Sequence, residues 1–273
     1  YDLVFAYGTD PGVFRYARAV GKYTVGFAQP DGAVNRLLDQ VVERPRTPIH
    51  AVDDRMSLVQ GAGVLQCDRK LVYRVTDEEK EEARVFLERQ AAGRGVTRIG
   101  FQVAGYPKRA FRDWPTDRFI ALGRQILGNL GAKILLFGDG ACADKARTIG
   151  TALGPDAVML AGKTSLRRFG ALLSECAALV TTETGPLYLA FALGVPTVAL
   201  LHCLTPVELI GPTAHVERHR LLQLDPPAGT ECSKHLSMEL IQSEQAWEAL
   251  QDILGTAEGP GGVPGGAPAK ERG

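Results

Sequence analysis

The sequence lacks the features that mark several specialised classes of protein. Its 31 lysines and arginines balance 31 aspartates and glutamates, so the bulk charge predicts no nucleic-acid partner. No apolar run reaches the roughly 18–20 residues that span a bilayer, and the first residues do not resemble a signal peptide. With 273 residues, 45% of them hydrophobic, the composition indicates a soluble globular protein with one or two cores.

Cysteine and histidine are few, and their spacing matches no metal-binding motif. The sequence therefore predicts no metal site and no disulfide framework, and it indicates reduced thiols in a cytosolic protein. The sequence also lacks the G-x-G-x-x-G, Walker G-x-x-x-x-G-K-[ST] and G-x-S-x-G motifs, so nothing indicates a dinucleotide, P-loop or serine-hydrolase site. We expect no cofactor. The five cysteines are Cys67, Cys142, Cys176, Cys203 and Cys232.

Short apolar strands alternate with amphipathic helices along most of the chain. The pattern is clearest from residue 98 to residue 201, and it predicts a doubly wound parallel sheet covered on both faces. Strands and helices are also predicted within 2–28 and 50–64, with a Pro-rich loop at 29–50 between them. Thr76 and Glu79 form a predicted capping box at the start of a helix over 76–92. The Gly-rich tail 255–273 predicts disorder.

Three turns between a strand and a helix carry polar side chains suited to a ligand. In open α/β sheets, ligands bind beyond the carboxyl ends of the strands, where helix N-termini favour anions. The segment TTETGP at 181–186 offers hydroxyls, a carboxylate and a close backbone approach at Gly185. An equally weighted alternative makes Thr184 only a helix N-cap. The candidate residues in this turn are Thr182, Glu183, Thr184, Gly185 and Tyr188.

The other two turns add basic and acidic side chains. The segment GYPKRAFRDWP at 105–115 places Lys108, Arg109 and Arg112 ahead of a helix, where cations are unfavourable unless an anionic ligand is present. A solvated basic loop is the alternative. The segment FGDGACADKA at 137–146 offers Asp139 and Asp144 to a ribose or a base. Together the three turns predict a site for a nucleoside diphosphate.

Several segments, in the same order along the chain, resemble the heptosyltransferase family, glycosyltransferase family 9. TTETGPLYLAFALGVPTVALL at 181–201 resembles the family segment D-[ST]-G-x-x-H-x-A-x-A-x-x-x-P-x-x-x-L-[FY]-G. YPKRAFRDWPTDRFIALGRQI at 106–126 is similar to its K-x-W-P-x-x-x-[FW]-x-x-L segment. IHAVDDRMSLVQGAGV at 49–64 and the first 30 residues resemble parts of its first domain. The resemblance spans nearly all of residues 1–254.

The resemblance implies a GT-B fold, in which two Rossmann-like domains of α/β class enclose the active site. Residues 1–92 would be the latter part of an acceptor-side domain, incomplete because the chain starts at Tyr1 without an initiator Met. Residues 93–254 would bind the nucleotide sugar. The implied reaction transfers a heptose-like sugar from a nucleotide diphosphate, ADP-heptose, to a lipopolysaccharide core or another glycan, without a metal. The implied location is cytoplasmic, with peripheral contact to the inner membrane.

Carried over by position, Glu183, Thr184 and Gly185 would contact the phosphates and sugar of the donor. The family has Asp where Glu183 stands and His where Tyr188 stands. Arg112 occupies the place of a lysine near the diphosphate. The Asp that serves as catalytic base in the family would precede Tyr1, and Asp10 is a weak candidate, with a turn role as its alternative. These departures keep open a non-catalytic relative that binds nucleotide or glycan, or that assembles with other proteins.

Overall fold

The computed structural model describes residues 1–65, 68–103, 105 and 107–255. Helices and strands alternate along these residues. The first part of the chain contains β1 (Leu3–Ala6), α1 (Pro11–Val20), β2 (Tyr23–Phe27), α2 (Gly32–Asn35), β3 (Gln40–Val42), α3 (Ala51–Gly61) and α4 (Asp77–Arg89). The second part contains β4 (Arg98–Gln102), α5 (Thr116–Leu130), β5 (Lys133–Phe137), α6 (Ala143–Leu153), β6 (Ala157–Met159), α7 (Leu166–Ser174), β7 (Ala178–Thr182), α8 (Gly185–Leu193), β8 (Thr197–Leu201), α9 (Val207–Ile210), β9 (His219–Gln223) and α10 (Ser243–Gly255).

The chain divides into two compact units. The first comprises residues 1–70 and 206–211, and the second comprises 71–205 and 212–273. The predicted functions of the two parts, one for the acceptor and one for the nucleotide sugar, stay predictions. The predicted tail lies beyond the described residues from Thr256 onward.

The first unit contains a parallel three-stranded sheet in the order β1-β2-β3. Asp10 caps α1 by accepting a hydrogen bond from the Gly12 amide at 2.7 Å, which gives it the turn role that the sequence offered as the alternative. The prediction of a loop throughout 29–50 is wrong, because this segment contains α2 and β3. Each is only three or four residues long, too short for its periodicity to stand out from the polar residues around it.

The second unit contains a parallel six-stranded sheet in the order β6-β5-β4-β7-β8-β9. Alternate residues of each strand face opposite sides, because side chains point to the two faces of a strand in turn. Ile134 and Leu136 of β5 pack with α5, α6 and α10, whereas Leu135 and Phe137 pack with α4 and α7. Each such fully buried side chain stabilises the fold by about 1.5–3 kcal/mol.

The strand order contains a topological switch point between β4 and β7. The chain runs outward from β4 through β5 to β6, returns to β7 beside β4, and then runs the other way through β8 to β9. The two loops that leave β4 and β7 therefore diverge and open a crevice at the carboxyl edge of the sheet, where ligands bind in open α/β folds.

Candidate functional site

A cavity of about 710 Å³ lies at the carboxyl edge of the six-stranded sheet, at this switch point. Its volume falls within the roughly 300–1,000 Å³ of small-molecule sites. Most of the predicted site residues line it: Arg109, Arg112, Asp139, Thr182, Glu183, Thr184, Gly185 and Tyr188. Lys108 and Asp144 do not. Lys108 is exposed on the loop after β4, and Asp144 is exposed and paired with Arg147 at 2.6 Å.

The loop after β4 contributes the basic wall of the cavity. Residues Pro107–Arg112 form two short 3-10 turns with a kink at Arg109 between them, and Arg112 at their end reaches the loop after β7. The Arg112 guanidinium forms an ion pair with Glu183 and lies 5.5 Å from the centre of the Phe111 ring. Glu183 also accepts a hydrogen bond from the Tyr188 hydroxyl at 3.4 Å. Glu183 therefore holds the Arg112 side chain at the cavity wall and is itself contacted by Tyr188.

Two buried polar atoms in the cavity wall have no hydrogen-bond partner among the described residues. They are the Nε atom of Arg112 and the Oγ1 atom of Thr182. Such atoms are rare in folded proteins, because an unsatisfied buried donor costs about 1–3 kcal/mol. Both atoms belong to residues that line the cavity, and both are almost fully buried in its wall.

The start of α8 is open toward the cavity. Thr184 occupies the N-cap position but makes no side-chain cap hydrogen bond, and its hydroxyl lies 3.5 Å from the Thr182 carbonyl oxygen. Thr184 therefore stands at the N-cap position without a side-chain cap bond, and its role toward a ligand stays a prediction. The N-terminal end of this helix keeps its partial positive charge available to an anion.

The loop segment at Gly105 approaches the loop after β7 too closely for any other residue. A Cβ atom at Gly105 would lie 2.6 Å from the Thr184 methyl carbon. The Gly105 amide donates a hydrogen bond to the Asp113 carboxylate at 2.9 Å. Burial raises the pKa of Asp113, although this hydrogen bond and the Lys145 charge oppose the effect. Asp113 thus shapes the loop that brings Arg112 to the cavity.

The loops after β5 and β6 complete the cavity on the side away from α8. Asp139 accepts hydrogen bonds from both the amide and the thiol of Cys142. Burial, followed by the effect of Asp139, raises the pKa of this thiol to about 11. Ser165 caps α7 by accepting a hydrogen bond from the Arg168 amide at 3.2 Å. Leu166 and Phe169 add an apolar patch.

Sequence reasoning missed several lining residues, and a signal for some of them was present. Thr164 stands between a predicted strand and a predicted helix that begins at Ser165, the same context that pointed to the other three turns. Gln102, Asp113 and Phe169 carried no such signal, since only the folded chain brings them to the cavity. The further residues in the lining are Gly105, Gly138, Leu166 and Pro186.

The first unit has a cavity of its own, of about 430 Å³. Three arginines line it together with one carboxylate, that of Asp54. Arg44 pairs with Asp54 through two hydrogen bonds of 2.7 Å, and Arg55 lies 3.6 Å from the same carboxylate. Arg46 gives this cavity a surplus of positive charge.

The prediction of unpaired thiols is wrong for two of the cysteines. Cys203 and Cys232 form a disulfide across a separation of 29 residues. Cys203 follows β8 and Cys232 follows β9, and these strands are neighbours in the sheet, so the register brings together residues whose spacing gave no signal. Cys142 and Cys176 are buried free thiols, and Cys67 lies outside the described residues.

No helix within the described residues is both long enough and apolar enough to cross a membrane. This observation covers 1–65, 68–103, 105 and 107–255.

Comparison with known proteins supports the reading of the fold. The chain is similar to the crystal structure of a family 9 glycosyltransferase from Veillonella parvula DSM 2008, with a TM-score of 0.79 and 20% identity, covering 94% of this chain and 74% of that one. It is also similar to E. coli ADP-heptose lipopolysaccharide heptosyltransferase II, with a TM-score of 0.77 and 21% identity, covering 95% of this chain and 78% of that one. These likenesses confirm the predicted α/β fold of GT-B type.

Comparison of sequences identifies the family. The chain is 28% identical over 153 residues to lipopolysaccharide heptosyltransferase 2 of Salmonella typhimurium strain LT2, a match that covers 52% of this chain and 42% of that relative. The chain thus matches less than half the length of this curated relative. The model of glycosyltransferase family 9 (heptosyltransferase) matches residues 16–237. The chain therefore belongs to glycosyltransferase family 9, the heptosyltransferase family.

Proposed function

We propose that this chain binds the diphosphate of a nucleotide sugar in the 710 Å³ cavity and that its protein transfers the sugar, a heptose, to a lipopolysaccharide core or another glycan. The observation that carries the proposal is the start of α8, which has no side-chain cap and shares the cavity lining with Arg112. A diphosphate supplies oxygen acceptors for the arginine and negative charge for the helix end.

The same groups would assist departure of the nucleoside diphosphate. Negative charge develops on the leaving phosphate as the bond to the sugar breaks, and fixed donors aimed at that charge lower the barrier. Arg112 is held in place by Glu183, and the α8 N-terminus is fixed by the sheet. Exposed Arg109 lines the same cavity and adds charge at its rim. This set of cations and dipoles would perform the role without a metal.

The far side of the cavity suits a nucleoside. Phe169 and Leu166 offer an apolar surface for a base, while Asp139, Thr164 and Ser165 offer oxygen atoms near it. Adenine is the favoured base, because the structurally similar E. coli protein is an ADP-heptose heptosyltransferase. We therefore assign ADP-heptose as the donor.

The cavity of the first unit supports an acidic acceptor. Arg46 lines this volume of about 430 Å³ together with Arg44 and Arg55, which both pair with Asp54. Guanidinium groups bind phosphate and carboxylate through paired hydrogen bonds. A phosphorylated or carboxylated glycan fits this chemistry. A lipid-linked acceptor of this kind would place the reaction at the cytoplasmic face of the inner membrane.

Calorimetric titration of the chain with ADP, UDP and GDP tests the donor assignment. We expect ADP to bind most tightly and the double variant Thr184→Val, Arg112→Ala to lose this binding. Lys108→Ala is the matched control, because Lys108 is a cation of the same loop that does not line the cavity. Circular dichroism checks that each variant is folded. A folded wild-type chain that binds none of the three nucleotides would refute the donor site.

A second candidate, binding without transfer, has one observation in its favour. Glu183 neutralises much of the Arg112 charge, and the Tyr188 hydroxyl contacts this carboxylate where the family resemblance places a histidine. Incubation of the full-length protein with ADP-heptose and a de-heptosylated lipopolysaccharide separates the two. Release of ADP that requires the acceptor supports transfer, whereas ADP-heptose binding without turnover supports the second candidate.

A further inference from the structure

A cluster of two thiol sulfurs and one imidazole lies beyond the carboxyl ends of β8 and β9. His202, Cys203 and Cys232 bring one ligand atom each to within 4.8 Å of one another. His202 is buried, and the two cysteines form the disulfide described above. None of the three lines the donor cavity. The cluster is therefore a separate feature that the proposed function does not use.

The surroundings of His202 define which ring nitrogen faces the sulfurs. Its Nε2 atom lies 3.2 Å from the Leu236 carbonyl oxygen, which can only accept a hydrogen bond, so we assign the proton to Nε2. The Nδ1 atom then carries the lone pair, accepts a hydrogen bond from the Leu204 amide at 3.2 Å, and lies 3.7 Å from the Cys203 sulfur.

This arrangement matches the way proteins hold a metal-binding histidine. A histidine ligand almost always donates its other ring N–H to a carbonyl or carboxylate, which fixes the tautomer and the plane of the ring. In this chain the Leu236 carbonyl is that acceptor, and the edge-on contact with Phe111, with ring centres 5.1 Å apart, further restricts the ring. The imidazole is therefore held with its Nδ1 atom beside the Cys203 sulfur in advance of any ligand.

We infer that reduction of the Cys203–Cys232 disulfide creates a binding site for a thiophilic divalent cation of the Zn²⁺ class, held by two thiolates and His202 Nδ1. A dithiol reductant opens the bond, giving two cysteine thiols and the oxidised dithiol. The cation then displaces one proton from each thiol. It also binds the lone pair of His202 Nδ1, which no longer accepts the hydrogen bond from the Leu204 amide. Three protein ligands leave a fourth tetrahedral position for water.

The disulfide and the metal site exclude each other, because the same two sulfur atoms form both. Sulfurs joined in a disulfide cannot both ligate one cation as thiolates. The oxidised chain should therefore hold no metal, and the reduced chain should hold one equivalent. This inference stands independently of the donor site, since it concerns different residues.

Metal titration of the reduced chain tests the inference. The full chain carrying Cys67→Ser is reduced with a dithiol, freed of reductant without oxygen, and titrated with Zn²⁺ against a chromophoric chelator. Co²⁺ replaces Zn²⁺ in a second titration to show thiolate-to-metal absorption. We expect one equivalent of each metal, no binding to the oxidised chain, and loss of that equivalent in Cys203→Ser and His202→Phe. Cys142→Ser is the matched control, because Cys142 is a buried free thiol outside the cluster, and it should bind normally.

A second measurement needs no altered cluster residue and so does not depend on the folding of those variants. Alkylation of the reduced chain is followed by mass spectrometry at Cys203 and Cys232, with and without Zn²⁺. We expect Zn²⁺ to slow alkylation at both cysteines. Equal alkylation rates with and without Zn²⁺, or a full equivalent of metal bound by a Cys203→Ser, Cys232→Ser chain, would overturn the inference.

Discussion

Helices α7 and α8 begin in the same cavity, but their N-termini are completed differently. The α7 N-terminus is closed by its own chain, because the Ser165 hydroxyl accepts a hydrogen bond from the Arg168 amide. The α8 N-terminus has no such side-chain bond from Thr184, and Arg112, which pairs with the neighbouring Glu183, lines the same cavity. The difference teaches that this edge of the sheet caps one helix with a side chain and leaves the N-terminus of the other without a side-chain cap.

The sequence alone did not distinguish these two helix starts. Serine and threonine are both good N-caps, and both residues stand directly before an apolar helix. The distinction depends on the Thr184 backbone and side-chain conformation, which only the folded loops determine. Close packing of Gly105 against the Thr184 methyl group is one such determinant.

The largest expected effect concerns the support beneath α8. Phe191 of α8 packs on buried His219, with ring centres 4.7 Å apart. Burial, and then the nearby Arg218, lowers the pKa of His219 from 6.5 to about 4. In the unfolded chain the imidazole takes up its proton near pH 6.5, whereas in the folded chain it stays neutral down to about pH 4. The stability of the fold is therefore fully present above pH 6.5. As the pH falls from 6.5 toward 4, only the unfolded chain gains the proton, and the free energy of unfolding falls by about 3 kcal/mol.

Urea unfolding at pH 7, 5.5 and 4 measures this effect. His219→Gln keeps a neutral polar group. Between pH 7 and pH 4, the free energy of unfolding of this variant should fall by about 3 kcal/mol less than that of the wild-type chain. Other groups that titrate in this range are common to both chains, so the difference isolates His219. Parallel pH profiles for the two chains would contradict the assignment.

The second effect concerns the charge of Arg112, which lines the same cavity as the start of α8. Arg112→Gln should weaken ADP binding about 30-fold, or about 2 kcal/mol, because a charge-assisted hydrogen bond to phosphate is lost. The matched variant Lys108→Gln should bind ADP within about twofold of the wild-type chain, since an exposed charge outside the cavity contributes little. Calorimetry supplies both values. Equal losses in the two variants would mean that only general charge attraction holds the ligand.

The smallest effect is the most specific test of the contrast between the two helices. Ser165→Ala should lower the free energy of unfolding by about 1 kcal/mol, because it removes a cap. Thr184→Val should leave that free energy nearly unchanged, because no cap bond is lost, and it should weaken pyrophosphate binding instead. Urea unfolding and calorimetry of both variants check the pair. A larger stability loss in Thr184→Val than in Ser165→Ala would reverse the comparison.

Much of the fold followed from local sequence signals. The alternation of strands and helices from residue 98 onward predicted the parallel sheet, and the capping box between Thr76 and Glu79 is present in the structure. The short strand β9 was not predicted, because five residues that include a histidine and an arginine show little apolar pattern. Local signals predict elements of ordinary length, whereas edge strands depend on the neighbour that they pair with.

The site was predicted less completely, for a related reason. The turns that carry candidate residues were visible as breaks between a strand and a helix. The pairing of Arg112 with Glu183 joins residues 71 positions apart, and the disulfide joins two others 29 apart. Such pairings depend on strand order and register, which no single segment specifies. The turns could therefore be found from the sequence, but the partners within them could not.

Amide chemical shifts during titration with pyrophosphate would decide whether the open helix start binds an anion. Pyrophosphate carries no base, so it probes the α8 end without occupying the apolar patch near α7. In a ¹⁵N-labelled chain, the Gly185 amide resonance should shift in a saturable way, while the Arg168 amide, already bonded to Ser165, should stay in place. A shift at Arg168 with none at Gly185, or no shift at either amide, would contradict anion binding at the start of α8.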